Sequence, residues 1–326
     1  MERRKFMTLF GGAAAWPLAA RAQQPERPTI GFLSSRSRDV DASLVTAFHE
    51  GLARIGFVEG RNVAIEYRWA HGRYDQLAGL AAELVNKPVA VLVSTGGTVS
   101  ALAAKSATKT IPVVFTTADD PVKVGLVESL SRPGGNVTGI TTSFIETAPK
   151  RLELLHELLP KATRIGFLVN PSNPATVTES NVVQPAARTI GQHIEVLSAK
   201  DASEIDGVFV NLKRMRLDAL LIAVDPFFFA RATQLVALAA REAIPTLYFR
   251  REFVVSGGLM SQGSNFAEFF RVVGGYAGRI LNGVKPASLP VQQPTKFEVA
   301  INLKTAKALG LTMPPTLLAR ADEIIE

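Results

Sequence analysis

Short apolar runs alternate with amphipathic stretches along the chain. Residues 29–33 form an apolar run that predicts a buried strand, whereas residues 41–55 place their apolar side chains at the spacing of one helix face. Further apolar runs at 89–93 and 111–115 are separated by a helical stretch at 98–108. Strands that alternate with helices of about 10 to 15 residues predict a parallel sheet, and strands that are apolar throughout are typical of a sheet covered on both faces.

The same pattern occurs a second time further along the chain. The segment Ile30-Gly31-Phe32-Leu33 recurs at 165–168, and the Ile-Pro pair at 111–112 recurs at 244–245, at nearly the same offset. We therefore predict an α/β protein with two doubly wound parallel-sheet lobes joined by a hinge. The alternative is that the buried strands of any parallel sheet converge in composition.

The first 22 residues have the features of a secretory signal peptide. A basic start that contains Arg3 and Arg4 precedes a mostly apolar stretch, and small residues around Ala22 provide a cleavage site. The apolar stretch is shorter than the roughly 20 residues that span a bilayer, and Pro17 interrupts it, so a membrane anchor is the weaker interpretation. The sequence predicts export to the periplasm after removal of residues 1–22. Because the arginine pair also fits a twin-arginine signal, both export routes stay open.

Composition narrows the class of protein. The 326 residues are 47% hydrophobic and 20% charged, as in ordinary globular proteins, and the length allows two domains. The chain has no cysteine, which excludes disulfides, thiolate metal sites and cysteine nucleophiles. The net charge is +7, but the basic residues are scattered, without a stripe of interleaved aromatics, so no nucleic-acid partner is predicted.

Sequence signals of catalysis are missing. The chain contains no G-x-G-x-x-G, G-x-x-x-x-G-K-[ST] or G-x-S-x-G motif, and its four histidines lie far apart without metal-ligand spacing. The adjacent carboxylates Asp119 and Asp120 could form an acid–base pair, although such pairs in loops are usually solvated. We predict a protein that is not an enzyme and that has no catalytic residue, metal or cofactor.

The carboxyl ends of the strands are where doubly wound sheets bind ligands, so the polar residues that follow each predicted strand are candidates for a ligand site. They are Ser34, Ser35, Ser94, Thr95, Gly96, Gly97, Thr98, Thr116 and Asp120 in the first lobe, and Asn170, Asn173 and Asp225 in the second. Aromatic residues that could pack on a ligand are Trp69, Tyr74, Phe227, Phe228, Phe229 and Tyr248, of which Phe227 is included in the predicted site. Core packing is the alternative role of each aromatic.

Two of these strand ends predict what the ligand carries. Residues 94–98 combine hydroxyl groups and glycines directly before a helix, whose free N–H groups favour an anion, so we expect a ligand carboxylate there and at Ser34 and Ser35. A plain N-cap at Thr98 is the alternative. Asp225 is expected to accept hydrogen bonds from an ammonium or hydroxyl group of the ligand, with capping of the next helix as its alternative role.

Several long segments match, in order, those of a known family. They are Asp-Pro-Val at 120–122, Gly-Leu-Val at 125–127, Pro-Gly-Gly-Asn-Val-Thr-Gly at 133–139, Gly-Gly-Leu-Met-Ser at 257–261, Gln-Pro-Thr-Lys-Phe-Glu at 293–298 and Ile-Asn-Leu-Lys-Thr-Ala at 301–306. The chain thereby resembles the substrate-binding proteins of ABC importers, in the family that includes tryptophan-binding members. The resemblance covers essentially the whole chain after residue 22. It implies a type I periplasmic-binding-protein fold, hinge closure on a ligand and delivery to a membrane permease.

One position departs from the family pattern. Family members often have Tyr after the Met-Ser pair, whereas this chain has Gln262. If this position faces the ligand, the departure puts aromatic amino-acid specificity in question, and Gln262 is itself a candidate ligand-binding residue.

The internal repeat predicts one lobe at 25–143 and a second at 144–263. About 264–285 is assigned to the first lobe and about 290–326 to the second, in line with the fold that the resemblance implies. Crossings between the lobes are expected near 139–145, 261–265 and 283–292.

The predicted function is that of the extracytoplasmic solute-binding component of an ABC importer. It would capture a small carboxylate-bearing organic ligand, such as an amino acid or an aromatic acid, between the lobes by hinge closure, and would work as a monomer with an ABC permease as its partner. The alternative is a periplasmic sensor that presents its loaded form to a membrane receptor. A further alternative is a sugar-responsive transcription regulator, which shares this fold. It would need a DNA-binding segment before the first lobe, where this chain has the predicted export signal. The identity of the ligand stays open.

Overall fold

The computed structural model describes residues 27–142, 145, 147–294 and 296–326, so the predicted signal peptide lies outside the described residues. The strands are β1 (Thr29–Ser34), β2 (Ala64–Trp69), β3 (Val89–Thr95), β4 (Val113–Thr117), β5 (Val137–Thr141), β6 (Arg164–Val169), β7 (His193–Ser198), β8 (Ala219–Ile222), β9 (Thr246–Tyr248), β10 (Met260–Gly263), β11 (Glu298–Asn302) and β12 (Glu323–Ile325). The α-helices are α1 (Arg38–Arg54), α2 (Leu77–Val85), α3 (Thr98–Ala107), α4 (Ala148–Leu158), α5 (Ala175–Thr189), α6 (Ala202–Met215), α7 (Pro226–Ala230), α8 (Ala232–Arg241), α9 (Arg251–Val255), α10 (Phe266–Leu281), α11 (Leu303–Ala308) and α12 (Pro315–Arg320).

The strands form two sheets whose orders repeat each other. The first sheet has the order β2-β1-β3-β4-β5, and the second has the order β12-β11-β10-β9-β8-β6-β7. In the second sheet, β6 to β10 occupy the same relative positions as β1 to β5 in the first, and all the pairings among them are parallel. The prediction of two doubly wound α/β lobes is confirmed. The sequence analysis did not anticipate β11, which runs antiparallel to β10 at the edge of this repeat.

Helices cover both faces of the first sheet, which with its helices is called the first lobe. Ile30 and Phe32 of β1 pack under α1 and α10, whereas Leu33 packs under α2 and α3. Alternate side chains of a strand point to opposite faces, so a strand covered on both sides must be apolar at every position. This burial explains the continuous apolar runs in the sequence.

Helix α10 follows the second sheet along the chain but packs on the first lobe. A Cβ atom at Gly274 would lie 2.1 Å from the carbonyl oxygen of Phe48, and one at Gly51 would lie 2.0 Å from the carbonyl oxygen of Arg271. The two glycines therefore let the backbones of α1 and α10 touch, which no residue with a Cβ would permit without displacement.

Within the described residues, the chain crosses between the lobes after β5, after β10 and before β11. The third crossing was expected near 283–292, but Gln292 N donates to Gly139 O at 3.1 Å, and Thr141 N donates to Gln292 O at 2.9 Å. These backbone hydrogen bonds hold residues up to Gln292 on the first sheet. The crossing therefore lies between Gln292 and Glu298, later than predicted.

A buried ion pair lies under the end of β8 in the second lobe, which consists of the second sheet and its helices. Arg151 Nη2 of α4 is 2.5 Å from Glu179 Oε1 of α5, and Glu179 Oε2 accepts a hydrogen bond from Val224 N at 2.9 Å. Burial raises the pKa of Glu179 to about 7, against the lowering effect of the Arg151 guanidinium. The pair fixes the backbone that leads into Asp225.

Candidate functional site

A cavity of about 530 Å³ lies between the carboxyl ends of the two sheets. The first lobe contributes Arg36, Gly97, Thr98, Val99, Thr116, Thr117, Ala118 and Thr142, the second contributes Asn173, Ala175, Val224, Asp225, Pro226, Phe229, Phe249 and Arg250, and Phe266 comes from the start of α10. Of the predicted site residues, the structure brings Gly97, Thr98, Thr116, Asn173 and Asp225 together on this wall. A molecule enclosed in the cavity would contact both lobes.

The two lobes touch each other at the edge of the cavity. The hydroxyl of Tyr74, in the first lobe, donates to Asp225 Oδ1 at 3.0 Å and accepts a hydrogen bond from Phe227 N at 3.3 Å. The ring of Pro226 lies against Gly97, where a Cβ atom would come within 3.3 Å of the proline Cγ. The structure is therefore in a closed arrangement.

Threonine hydroxyls line the side of the cavity formed by the first lobe. Thr98 begins α3, and its Oγ1 lies 2.7 Å from Thr117 Oγ1 and 2.5 Å from Asp119 Oδ2. Burial raises the pKa of Asp119, whereas the hydrogen bond from Thr98 lowers it. Thr98 is thus hydrogen-bonded both to Thr117, another residue of the cavity wall, and to Asp119, which does not line the cavity.

The serines of the predicted carboxylate site serve the local fold instead of the cavity wall. Ser34 Oγ donates to Asp41 Oδ2 at 2.9 Å, and Ser35 Oγ donates to the carbonyl oxygen of Gly96 at 2.7 Å. A Cβ atom at Gly96 would lie 2.4 Å from Ser35 Oγ, so this contact requires glycine. The hydroxyls of Ser94 and Thr95 are fully buried behind the wall and have no hydrogen-bond partner among the described residues.

Asp225 accepts hydrogen bonds from five donors in the described part of the chain. Its Oδ1 accepts hydrogen bonds from Phe227 N at 2.7 Å, Tyr74 OH at 3.0 Å, Asn170 Nδ2 at 3.3 Å and Phe228 N at 3.4 Å, while its Oδ2 accepts one from Asn173 Nδ2 at 2.7 Å. The two backbone donors make Asp225 the N-cap of α7. Burial raises the pKa of Asp225, and the donors oppose that effect. Asn170 therefore contributes to the site by holding the carboxylate of Asp225, and it does not line the cavity itself.

Arg250, which the sequence analysis missed, lies between two aromatic rings at the cavity wall. Its guanidinium is 3.7 Å from the ring centroid of Phe229 and 3.8 Å from that of Phe266, and Glu252 pairs with its Nε and Nη2 atoms. Burial lowers the pKa of Arg250 against the raising effect of Glu252, and the positive charge of Arg36 lowers it further. Because Arg250 follows β9, the rule used for the other strand ends would have found it.

Arg36 follows β1 and lines the same cavity from the first lobe. Its side chain is only 5% exposed and pairs through Nε with Asp41, which is also buried. Its Nη2 atom is buried and has no hydrogen-bond partner among the described residues. The sequence analysis placed the anion at the neighbouring serines, whereas the structure leaves a guanidinium nitrogen of Arg36 in need of an acceptor.

Three other predicted residues lie away from the cavity wall. Asp120 Oδ1 caps a turn by accepting a hydrogen bond from Val122 N at 2.9 Å. Phe227 lies on an outer groove, where the Arg231 guanidinium is 5.9 Å from its ring centroid. Gln262 is a buried residue of β10, and its Oε1 has no hydrogen-bond partner among the described residues.

The aromatic candidates divide between the cleft and the cores. Trp69 stacks on Tyr67 with ring centroids 5.9 Å apart, and Tyr248 stacks on Phe253 at 4.6 Å, so both pack within their lobes. Phe229 lines the cavity, and Tyr74 lies at its edge through its bond to Asp225.

Neither a metal cluster nor a membrane span is found in the described part of the chain. None of its groups of His, Cys, Asp and Glu could hold a metal ion. None of its helices is both long enough and apolar enough to cross a bilayer.

Comparison with known proteins identifies relatives over nearly the whole chain. The profile of the family described as ABC transporter substrate binding protein matches residues 30–325. The tyrosine-binding protein of Clostridioides difficile (strain R20291) is 29% identical over 266 residues, which are 81% of this chain and 75% of that protein.

Two solved structures are similar to different degrees. The ABC domain in complex with L-Trp from Streptococcus pneumonia is 26% identical with a TM-score of 0.80, covering 91% of this chain and 100% of that one. The ligand-free, open structure of a substrate binding protein with adhesive properties from Clostridium difficile is 25% identical with a TM-score of 0.64, covering 91% and 99%. The TM-score is higher for the complex with L-Trp than for the open structure, in agreement with the contacts between the two lobes of this chain.

Proposed function

The chain belongs to the ABC transporter substrate binding protein family, and from that premise we propose that it is the extracytoplasmic solute-binding component of an ABC importer. In this proposal residues 1–22 direct export to the periplasm, the protein works as a monomer, and its loaded form docks on a membrane permease. The prediction that the chain is not an enzyme is confirmed, because the members of this family are substrate-binding proteins.

The proposed ligand is a small carboxylate-bearing organic molecule, such as an amino acid or an aromatic acid. The observation that carries this proposal is the cavity between the lobes, whose mostly apolar wall combines residues of both. A mostly apolar lining with a few polar groups is typical of small-molecule sites. The relatives support the same class, since one is named for tyrosine and another was solved with L-Trp.

The proposed mechanism is capture by closure. A ligand enters between separated lobes and makes contacts with both only when they close, so its binding energy favours the closed state. Residues of the three crossings would absorb the change in backbone angles, while each sheet with its helices moves as a unit.

A ligand screen with a measurement of shape tests this function. Thermal unfolding of the purified protein, without residues 1–22, would be followed with amino acids, aromatic acids and sugars. We expect a carboxylate compound to raise the melting temperature, since a ligand at 100 times its Kd stabilises by about 2.7 kcal/mol. Small-angle scattering should then show a smaller radius of gyration with that compound. Stabilisation by sugars alone, or an unchanged radius at saturation, would contradict the proposal.

A further inference from the structure

We propose that the ligand is an organic acid with a carboxylate and an apolar body but no ammonium group. This inference deepens the proposed function, on which it rests, and concerns the charge that the cavity recognises. It separates the ligand of this chain from amino acids, which carry both charges.

The first support is the unsatisfied donor of Arg36. This side chain lines the cavity, is 5% exposed and pairs with Asp41 through Nε, yet its Nη2 atom has no acceptor among the described residues. A buried donor without a partner costs free energy, which a ligand acceptor would recover. A carboxylate is the acceptor that matches a guanidinium best, through short charge-assisted hydrogen bonds.

The second support is a guanidinium from the opposite lobe. Arg250 lines the same cavity, and the charge of Arg36 is close enough to lower its pKa, after the larger effect of burial. Asp41 and Glu252 each offset one of these charges, and an anion between the two guanidiniums would relieve the repulsion that remains between them. Closure on a carboxylate would thus be favoured by electrostatics, whereas closure on a cation would not.

The third support is that this chain already uses most of the hydrogen-bonding capacity of Asp225. A carboxylate offers roughly four lone-pair sites. Asp225 already accepts five hydrogen bonds from Tyr74, Phe227, Phe228, Asn170 and Asn173. Four of these bonds fall on Oδ1 and one on Oδ2, and Asp225 is only 1% exposed, so the room left for a ligand ammonium group is one position on Oδ2 beside Asn173.

Asp119 is a further carboxyl group close to the cavity wall. Its Oδ1 has no partner among the described residues, but Asp119 does not line the cavity, and Thr98 Oγ1 lies between its Oδ2 and the wall residue Thr117. Burial raises its pKa, which disfavours the ionised form that an ammonium group would need. Asp119 therefore does not offer a binding site for an ammonium group of the ligand.

A groove outside the cleft, lined by more basic than acidic side chains, also favours a negatively charged ligand. This groove, of about 900 Å³, shares Arg36 and Pro226 with the cavity and is called the vestibule. The charged or titratable residues of the vestibule are Arg36, His71, Arg73, Lys200, Arg231 and Asp201. An excess of positive charge beside a cleft raises the local concentration of anions.

The apolar part of the ligand is indicated by the remaining wall. Phe229, Phe249, Phe266, Val99 and Val224 line the same cavity as the two guanidiniums. Such a wall suits an aromatic or branched aliphatic body attached to the carboxylate.

Matched compounds that differ only in their charged groups test the inference. Calorimetric titration would compare 3-(indol-3-yl)propanoate with L-tryptophan and tryptamine, 3-phenylpropanoate with L-phenylalanine and phenethylamine, and 4-methylpentanoate with L-leucine and isoamylamine. We expect at least one acid to bind ten or more times tighter than its amino-acid counterpart, and the amines not to bind. Equal or tighter binding of the amino acids would overturn the inference but leave capture of a carboxylate intact. If no compound of any set bound, the proposed function itself would be contradicted.

A double variant tests the role of Arg36 in this preference. Arg36→Met with Asp41→Asn removes the guanidinium without leaving a buried unpaired carboxylate, so the fold should persist. We expect the affinity for the acid to fall at least tenfold, with the ligand-free melting temperature nearly unchanged. Arg271→Met with Glu50→Gln, which removes an ion pair between α10 and α1, is the matched control and should leave affinity unchanged. Full retention of acid binding by the Arg36 double variant would overturn the assignment.

Discussion

Asp225 connects a strand end, a helix start and the facing lobe through one carboxylate. Its five donors come from the backbone of α7, from Asn170 and Asn173 after β6, and from Tyr74 of the first lobe. The number of donors that hydrogen-bond to Asp225 decides its role. Neither its residue type nor its position after a strand reveals that number.

Replacement of Asp225 by Ala should destabilise the ligand-free protein. Loss of an N-cap costs about 1 kcal/mol, and each buried donor left without an acceptor costs about 1–3 kcal/mol, so we expect a loss of at least about 2 kcal/mol in the free energy of unfolding. Urea unfolding would measure it. Asp120→Ala, which removes a more exposed turn cap, is the control and should cost about 1 kcal/mol or less. An unchanged stability of Asp225→Ala, together with lost binding, would instead assign this carboxylate to the ligand.

Tyr74 is the residue whose hydroxyl joins the lobes without a ligand. Burial and the neighbouring Asp225 raise its pKa well above the usual range for tyrosine, so it stays a neutral donor. A hydrogen bond to a charged group contributes about 1.5–3 kcal/mol. We expect Tyr74→Phe to shift the ligand-free protein toward an open form, with a larger radius of gyration and roughly tenfold weaker ligand binding. Tyr67→Phe, whose hydroxyl bonds to His49 within the first lobe, should show neither change.

At the scale of elements, the contact between α1 and α10 determines which lobe the later part of the chain joins. The two helices meet at Gly51 and Gly274, where added Cβ atoms would overlap backbone carbonyl oxygens. Since α10 begins three residues after β10 ends, this contact also determines where the second crossing between the lobes lies.

Adjacent glycines of α10 offer a matched test of this packing. Gly274→Ala should lower the free energy of unfolding by about 1–3 kcal/mol, because the new methyl group overfills the contact with Phe48. Gly275→Ala meets nothing within 4 Å and should stabilise the helix by about 0.5–1 kcal/mol. Thermal and urea unfolding would measure both. Equal effects of the two substitutions would show that the close approach of the helices does not matter.

At the scale of the whole molecule, basic side chains gather in the vestibule beside the cavity. The vestibule carries more basic than acidic side chains, and Arg36 lines both spaces. Attraction over such distances is screened by salt, since the Debye length is about 10 Å at 0.1 M ionic strength. The effect should therefore appear in the rate of association more than in the rate of dissociation.

A kinetic measurement tests whether the vestibule attracts an anionic ligand. In stopped-flow experiments with an acid that binds, we expect the association rate constant to fall as salt is raised. Arg73→Gln with Arg231→Gln should lower it several-fold at low salt and leave the dissociation rate nearly unchanged. Lys285→Gln with Lys304→Gln removes the same charge from exposed positions outside the vestibule and is the control. A salt-independent association rate would contradict steering by the vestibule.

Periodicity was sufficient to predict the two lobes and the edge at which the cavity forms. Buried parallel strands require apolar residues at every position, and a repeated strand order leaves a repeated pattern, so both features are local properties of the chain. The position of Thr98, Thr116, Asn173 and Asp225 after predicted strands likewise predicted their place at the cavity.

The contacts of each site residue were decided only when the lobes came together. Arg36 lies more than 200 positions before Arg250 and Phe266, and the three line one cavity because α10 returns to the first lobe and the cleft closes. Hydrogen-bond partners also depend on distant segments, so sequence alone could not show that Ser34 and Ser35 have internal partners or that Arg36 has an unsatisfied donor. A residue type predicts which chemistry is available, whereas the packing of the lobes decides which of its atoms remain free for a ligand.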